Sequence, residues 1–298
     1  MSTGKVYLVG AGPGHPGLIT VKGLACLQQA DVIIYDRLVN RELLTHARAG
    51  CELVARGEHR PDQHELYGLM ADRAGQGKTV VRLKGGDPFL FGRGGEEAEF
   101  LTAAGIPFEV VPGVTSALAV PAYAGIPLTH RCFSSAVGLV TGHEAGDKAR
   151  PAINWEALSQ AVDTLVILMG LGNLSAIVER LLKAGRSHDT PVAVICEGSL
   201  PEQVTLVSTL GQVVEEVEAL QLQPPAIIVV GEIVRLRERI RWFEEPADPA
   251  VSGTNRAGWP VDQAPFNMPT CQSDLLTRID NTPIAAAAAC GTGATAGR

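Results

Sequence analysis

Between Val80 and Glu97 the chain sets an acid, a cation and a cluster of glycines close together: Gly85-Gly86-Asp87-Pro88, two aromatics around Leu90, then Gly92-Arg93-Gly94-Gly95-Glu96-Glu97. Glycines without a Cβ let backbone approach a ligand closely. Asp87 is a fixed acceptor, and Pro88 fixes the turn after it. Arg93 is a permanent forked cation suited to carboxylates. Glu96, three residues on, shares its helix face or pairs with it. The stretch is therefore either a ligand-facing loop or an ordinary strand–turn–helix junction closed by a local salt bridge and a negative first helical turn.

A second glycine-led loop follows the first strand. Gly12-Pro13-Gly14-His15-Pro16-Gly17 fits the spacing of a dinucleotide fingerprint, and Asp36 lies about where a ribose-binding acid belongs. Pro13 and Pro16 carry no N–H, so two donors that would cradle a pyrophosphate are missing. Such a rigid turn suits the lining of a pocket better than the wrapping of a diphosphate. Asp36 ends an apolar strand, and two readings stay open: an acid at a ligand edge, or a cap and partner for the segment around Arg37 and Asn40. Arg131 follows Thr129-His130 in a loop bracketed by Pro127 and Gly125, and His130 is read as structural. Met169, the Glu197-Gly198 turn and the run from Pro225 through Ala226 to Gly231 read from the residues as sheet edge or core. The histidines form no metal-ligand pattern, and no Gly-x-Ser-x-Gly elbow is present.

The elements that must position these residues alternate. Apolar strands are predicted at 5–9, 31–35, 52–54, 79–83 and 107–111, with helices at 20–29, 40–48, 63–75 and 96–104 between them. Leu18, Val21, Leu24, Ala25 and Leu27 make the expected apolar face of the first helix. This order argues a mostly parallel sheet. A small-residue helix at 116–123 follows, then strands at 136–141, 164–169, 192–196, 204–209 and 226–230, with helices near 173–184 and 211–220. We expect an N-terminal α/β domain over 1–115, a C-terminal α/β domain over 116–243 and a disordered tail over 244–298, where proline, polar residues and an alanine run replace core-forming patterns.

The 298-residue chain is 46% hydrophobic and 19% charged, as expected of a folded protein with a sizeable core. A net charge of −7 without a basic cluster argues against nucleic acid as partner, while a few local arginines can still bind a small polyanion. Six scattered cysteines without a C-x-x-C pair suggest neither a disulfide framework nor zinc, and fit a reducing cytoplasm. No apolar run approaches a membrane span.

Taken in order, Val6–Gly17, Tyr35–Leu38, Val80–Glu97, Val111–Ser116, Pro121–Arg131, Thr141–His143, Met169–Leu171 and Pro225–Glu232 resemble the tetrapyrrole methylases, and in particular their uroporphyrinogen-III C-methyltransferase branch. The resemblance implies a two-domain fold, with a mostly parallel N-terminal sheet, a mixed C-terminal sheet and the cofactor cleft between them. It implies successive methyl transfers from S-adenosyl-L-methionine to uroporphyrinogen III, giving precorrin-2 by way of precorrin-1, and a homodimer. Carried over by position, Pro13, Gly85, Gly86, Asp87, Leu90, Thr115, Ser116, Met169, Gly198 and Ala226 would contact the cofactor. Arg93, Glu96 and Arg131 would hold the tetrapyrrole, and Asp36 or Arg93 would assist proton removal. Arginine is a poor base, which favours Arg93 as a carboxylate anchor. The family usually carries Val-Gly-Lys-Arg after the third strand. Here the stretch is Ala55-Arg56-Gly57-Glu58-His59-Arg60, with Glu58 at the lysine position, which leaves three readings: the lysine is dispensable, Arg56 or Arg60 substitutes, or activity is impaired. Two other readings remain: a methylase of a later corrinoid intermediate, and a non-catalytic tetrapyrrole- or S-adenosylmethionine-binding relative.

Overall fold

The computed structural model describes residues 3–56, 63–143 and 153–243. Five strands, β1 (Val6–Gly10), β2 (Val32–Tyr35), β3 (Glu52–Ala55), β4 (Val80–Lys84) and β5 (Phe108–Val111), form a wholly parallel sheet in the order β3-β2-β4-β1-β5. Helices α1 (Val21–Gln29), α2 (Gln63–Gly75) and α3 (Gly94–Ala103) make the crossovers. Because side chains alternate along a strand, Val6, Leu8, Val32, Ile34 and Val80 pack toward Leu66, Met70 and Leu101 on one face. Val9, Ile33, Val81 and Leu83 pack toward Cys26 and Leu27 on the other. Burial on both faces explains why β1 and β2 are near-continuous apolar runs, whereas the edge strand β3 alternates between half-buried and exposed positions.

After β5 comes α4 (Ser116–Tyr123), then β6 (Val137–Thr141), α5 (Trp155–Ala161), β7 (Thr164–Leu168), α6 (Leu174–Lys183), β8 (Pro191–Cys196), β9 (Val204–Thr209), α7 (Val213–Ala219), β10 (Ala226–Val230) and α8 (Arg237–Ile240). The second sheet has the order β6-β7-β10-β8-β9, parallel only at β6–β7 and antiparallel elsewhere. Helix α4 closes one face of it, burying Ala117 and Val120 against Val166, Ile195 and Val229. The α/β class, the parallel first sheet and the mixed second sheet follow the expectation.

Three local expectations need correction. Residues 41–46 form a 3-10 helix and not the α-helix expected over 40–48; Asn40 caps it by accepting from Glu42 N at 3.0 Å. The buried face of α1 is Gly23, Cys26 and Leu27, while Val21 is 88% exposed. Thr20 Oγ1 caps the helix by accepting from Gly23 N, and a Cβ on Gly23 would lie only 3.2 Å from Val9 Cγ1, so this close approach turns Val21 outward. Helix α5, buried through Trp155, had no counterpart in the sequence reading. The tail expected over 244–298 lies outside the described residues.

Candidate active site

Glycine lets three loops at the carboxyl edge of the first sheet touch. Beyond β1, Ala11 N donates to Lys84 O at 2.8 Å, and Gly12 and Gly86 exchange backbone hydrogen bonds at 3.2 and 2.7 Å. The loop after β1 is thereby zipped to the loop after β4. A Cβ on Gly10 would stand 2.6 Å from both Gly113 Cα and Gly86 O, and one on Gly113 would stand 2.3 Å from Gly86 O. No side chain fits at that crossing. Asp87 fastens the same corner: its Oδ1 accepts from Phe89 N (2.8 Å) and Leu90 N (3.2 Å), and its Oδ2 accepts from Gly113 N (3.0 Å). The acid read as a ligand acceptor thus acts first as a loop clamp. Gly86, at φ 66°, faces the start of α4, where Thr115 Oγ1 caps the helix by accepting from Ala117 N. Pro13, Gly85, Gly86, Asp87, Thr115 and Ser116 are therefore gathered along one edge.

The second sheet meets this edge through the turn after β8. Ser199, fully buried, accepts from His15 N at 3.1 Å, and its own N donates to Gln203 Oε1 at 2.9 Å. Gly198 packs directly on α4, since a Cβ there would lie 2.3 Å from Val120 Cγ1. Ala226 pairs with Cys196, two residues before Gly198, and Leu168 pairs with Ile227, which sets Met169 across from Ala226. Met169 has φ 54° and is 52% exposed, an unusual conformation for a residue expected to be core filler. From the first half, Leu90 reaches over to pack on the core of the second sheet. The structure thus brings Leu90 and Gly198 to the seam between the sheets and leaves Met169 exposed at the end of β7, whereas the Ala226 side chain packs into the core on the opposite face of the second sheet, with Ile228 and Val230. Replacing Ser199 by alanine removes the acceptor that joins the halves. We expect a loss of about 1–2 kcal/mol in urea-unfolding free energy.

Arg93 and Glu96 do pair. Arg93 Nε donates to both Glu96 oxygens at 3.0 and 3.1 Å, and Nη2 donates to Oε2 at 2.6 Å, with the side chains 53% and 50% exposed. This hydrogen bonding holds Glu96 below the usual carboxylate range and raises Arg93. Arg93 adopts φ 59° because Gly94 N reaches back to Pro88 O at 3.0 Å, and a Cβ on Gly94 would collide with that oxygen at 2.3 Å. The fork is consequently presented outward from a fixed turn. Arg131 is exposed on the separate turn closed by the His130–Ser134 bridge, where His130 Nδ1 accepts from Cys132 N.

Asp36 does not cap the following segment, which Asn40 caps, and its ionic partners are not the neighbouring Arg37. It pairs with Arg82, with Lys84 Nζ at 3.9 Å and with Arg56 at 3.6 Å. Burial works to raise its pKa, but the charges of Arg82, Lys84 and Arg56 outweigh burial and hold it below the ordinary aspartate value. Arg82 and Lys84 are buried, and both contact Glu97 Oε1, at 3.2 and 2.9 Å. The sequence reading missed Arg82, Lys84 and Glu97. Their signal was the alternation Val80-Val81-Arg82-Leu83-Lys84, which puts two cations on one face of a central strand. Of the altered loop after β3, Arg56 is described and pairs with Asp36, whereas Glu58, His59 and Arg60 lie outside the described residues.

Among the described residues a Cβ on Gly85 would meet nothing closer than Leu38 Cβ at 3.7 Å, and one on Gly86 nothing closer than Ser116 N and Thr115 Cα at 3.8 Å, so these two glycines are not crowded as Gly10 and Gly113 are. Leu38 and Met169 stand exposed beside backbone-rich loops, a mixture suited to a nucleoside carrying a thioether or sulfonium.

Comparison with known proteins agrees with this geometry. The family described as Tetrapyrrole (Corrin/Porphyrin) Methylases matches over residues 5–214. A uroporphyrinogen-III C-methyltransferase of Synechocystis is 48% identical over 85% of this chain and 96% of its own length, and one from Methanocaldococcus jannaschii is 49% identical over 78% and 98%. The crystal structure of a Thermus thermophilus uroporphyrin-III C-methyltransferase complexed with S-adenosylhomocysteine superposes with a TM-score of 0.69 at 41% identity, covering 78% of this chain and all of that one. A cobalt precorrin-4 methyltransferase superposes with a TM-score of 0.71 at 32% identity, covering 77% and 95%. With its glycine-zipped loops, its paired sheets and these likenesses over most of its length, the chain belongs to the tetrapyrrole (corrin/porphyrin) methylases.

Proposed function

We propose that the protein is an S-adenosylmethionine-dependent methyltransferase that methylates uroporphyrinogen III twice, through precorrin-1 to precorrin-2. The observation that carries this reading is the glycine-led edge, where Gly86 faces Thr115 and Ser116 at the start of α4 while Gly198 packs on the same helix from the second sheet. In this reading residues 1–115 and 116–243 are the two domains that flank this edge. S-adenosylmethionine supplies a methyl group already activated by its sulfonium, so the protein's task is alignment and proton handling. The backbone edges at Pro13, Gly85 and Gly86 hold the donor, and the Asp87 clamp fixes their spacing. Leu90 and Met169 exclude water from the seam. Arg93 and Arg131 grip carboxylates of the macrocycle, Glu96 orients the Arg93 fork toward the substrate, and Asp36, held anionic, accepts the proton that leaves the methylated substrate.

A methylase of a later corrinoid intermediate is the weaker reading, because the relatives at 48–49% identity are named uroporphyrinogen-III C-methyltransferases, whereas the cobalt precorrin-4 methyltransferase is 32% identical. Purified protein given S-adenosylmethionine and enzymatically generated uroporphyrinogen III is expected to yield a dimethylated product by mass spectrometry. Tight S-adenosylhomocysteine binding without any mass gain would support a binding protein instead. A homodimer and a cytoplasmic location complete the proposal. Sedimentation of the purified protein checks the first and fractionation of cells the second.

A further inference from the structure

Strand β4 is the middle strand of the parallel sheet, buried along its whole length, yet it carries Arg82 and Lys84. Both alternate with Val81 and Leu83 and so lie on the face covered by α2 and α3. Burying two cations there costs several kcal/mol each unless they are paired, and an ion pair in such a place is weak evidence of a stabilising role. They are paired, but unevenly. Glu97 Oε1 takes both Arg82 Nε and Lys84 Nζ, while its other oxygen, Oε2, is buried without a hydrogen-bond partner. Arg82 also donates through Nη1 to Ile34 O and Leu83 O, and through Nη2 to Asp36. Asp36 is the only one of these four groups with appreciable exposure, at 25% for its side chain. The cluster balances two cations against two anions and opens to solvent only through that carboxylate.

We propose that Arg82, Lys84 and Glu97 form a buried charge scaffold that holds Asp36 as an oriented anion at the cleft edge, and that Lys84 is its positioning residue. The proposal rests on the reading of Asp36 as proton acceptor given above. Lys84 suits the role better than Arg82. Arg82 is tied to Glu97, Asp36 and two backbone carbonyls, whereas among the described residues the Lys84 ammonium donates one hydrogen bond, to Glu97, and makes an ionic contact with Asp36. Burial and the neighbouring Arg82 lower the Lys84 pKa, against the opposing pull of Glu97 and Asp36. The other charged groups around the cluster are Arg56 beside Asp36, Arg93, which feels the Glu97 charge, and Glu96, which the Lys84 charge helps to lower. Tyr67 on α2 also faces it, its hydroxyl pushed up by burial and by the nearby glutamates. The scaffold also touches the substrate turn, because a Cβ on Gly92 would lie 3.4 Å from Lys84 Cε.

The sign follows from charge. A nearby cation favours the ionised carboxylate, so removing Lys84 raises the Asp36 pKa and removing Glu97 lowers it. The test is a pH titration of the Asp36 carboxyl by carbon NMR of aspartate-labelled protein, assigned through Asp36→Asn, beside the pH profile of kcat. In the wild-type protein Asp36 is expected to titrate below the ordinary aspartate range. An ordinary or elevated titration would overturn the proposal before any variant is made. Lys84→Met is expected to move the Asp36 titration and the acid limb of kcat upward together by about one pH unit, a tenfold loss of rate below that limb. S-adenosylhomocysteine affinity should stay unchanged, and Lys84→Arg should restore both. Glu97→Gln should move them down. If Lys84→Met fails to fold, the double variant Lys84→Met/Glu97→Gln, which removes one charge of each sign, is titrated in its place and compared with Glu97→Gln, above which it should lie. A folded variant whose Asp36 titration does not respond to loss of Lys84 sinks the scaffold. Because the NMR arm does not require turnover, absence of methylated product from the wild-type protein would count against the proposed function alone.

Discussion

Replacing Arg93 by alanine is expected to lower methyl transfer by about 100-fold or more, while S-adenosylhomocysteine binds within twofold of the wild-type affinity. The magnitude is that of losing a charge-assisted, forked contact to a substrate carboxylate, about 3 kcal/mol in a closed site. Stability should barely change. The Arg93–Glu96 pair is half exposed, and such pairs contribute about 0–1 kcal/mol. Arg93 already occupies a left-handed conformation without glycine, so alanine introduces no new backbone strain. Arg93→Lys should recover little, because a point charge does not reproduce the fork. The pair with Glu96 gives Arg93 a fixed starting geometry, and a substrate carboxylate competes for the same fork. Steady-state kinetics with S-adenosylhomocysteine titration on the same preparation separates the two effects. Unchanged turnover would remove Arg93 from the site.

The second large effect is expected at the glycine crossing. Gly113→Ala puts a methyl group 2.3 Å from Gly86 O and 2.7 Å from Gly10 Cα, where all the neighbours are backbone and cannot rotate away. The loops after β1, β4 and β5 must part. We expect a loss of about 2–4 kcal/mol in unfolding free energy and a fall of at least about tenfold in S-adenosylhomocysteine affinity. Gly172→Ala is the matched control, since a Cβ there meets nothing within 4 Å. It should change stability by no more than about 0.5 kcal/mol. Chemical denaturation and calorimetric titration of the two variants decide the matter. An undisturbed Gly113→Ala would show that the loops are not held by close backbone approach.

Local sequence determined a good deal of this protein. Apolar runs such as Val6–Gly10 and Val32–Tyr35 became buried parallel strands, because a strand covered on both faces needs near-continuous hydrophobicity. The two glycine-led loops were legible because few other sequences permit close backbone approach. The pairing of Arg93 with Glu96 follows from three-residue spacing, which needs only a helix start at Gly94. The family resemblance rests on the same blocks.

What only the tertiary structure decided is who meets whom across elements distant in sequence. Asp36 had a neighbouring arginine and a possible capping role. Its true partners come from β4, because the parallel register sets Ile34 beside Arg82 and Tyr35 beside Leu83. Asp87 had the chemistry of a ligand acceptor, yet the approach of the β5 loop brings Gly113 N to its carboxylate. Val21 fitted an apolar helix face, but the contact of Gly23 with Val9 set the rotation of α1. Ser199 is an unremarkable serine until the first loop brings His15 N to it from the other sheet. Residue type and short-range periodicity are written along one dimension. Register, crossing and the sharing of a buried charge depend on which strands lie side by side, and only there does the stretch from Val80 to Glu97 divide into a buried scaffold, a clamped loop and an exposed cationic fork.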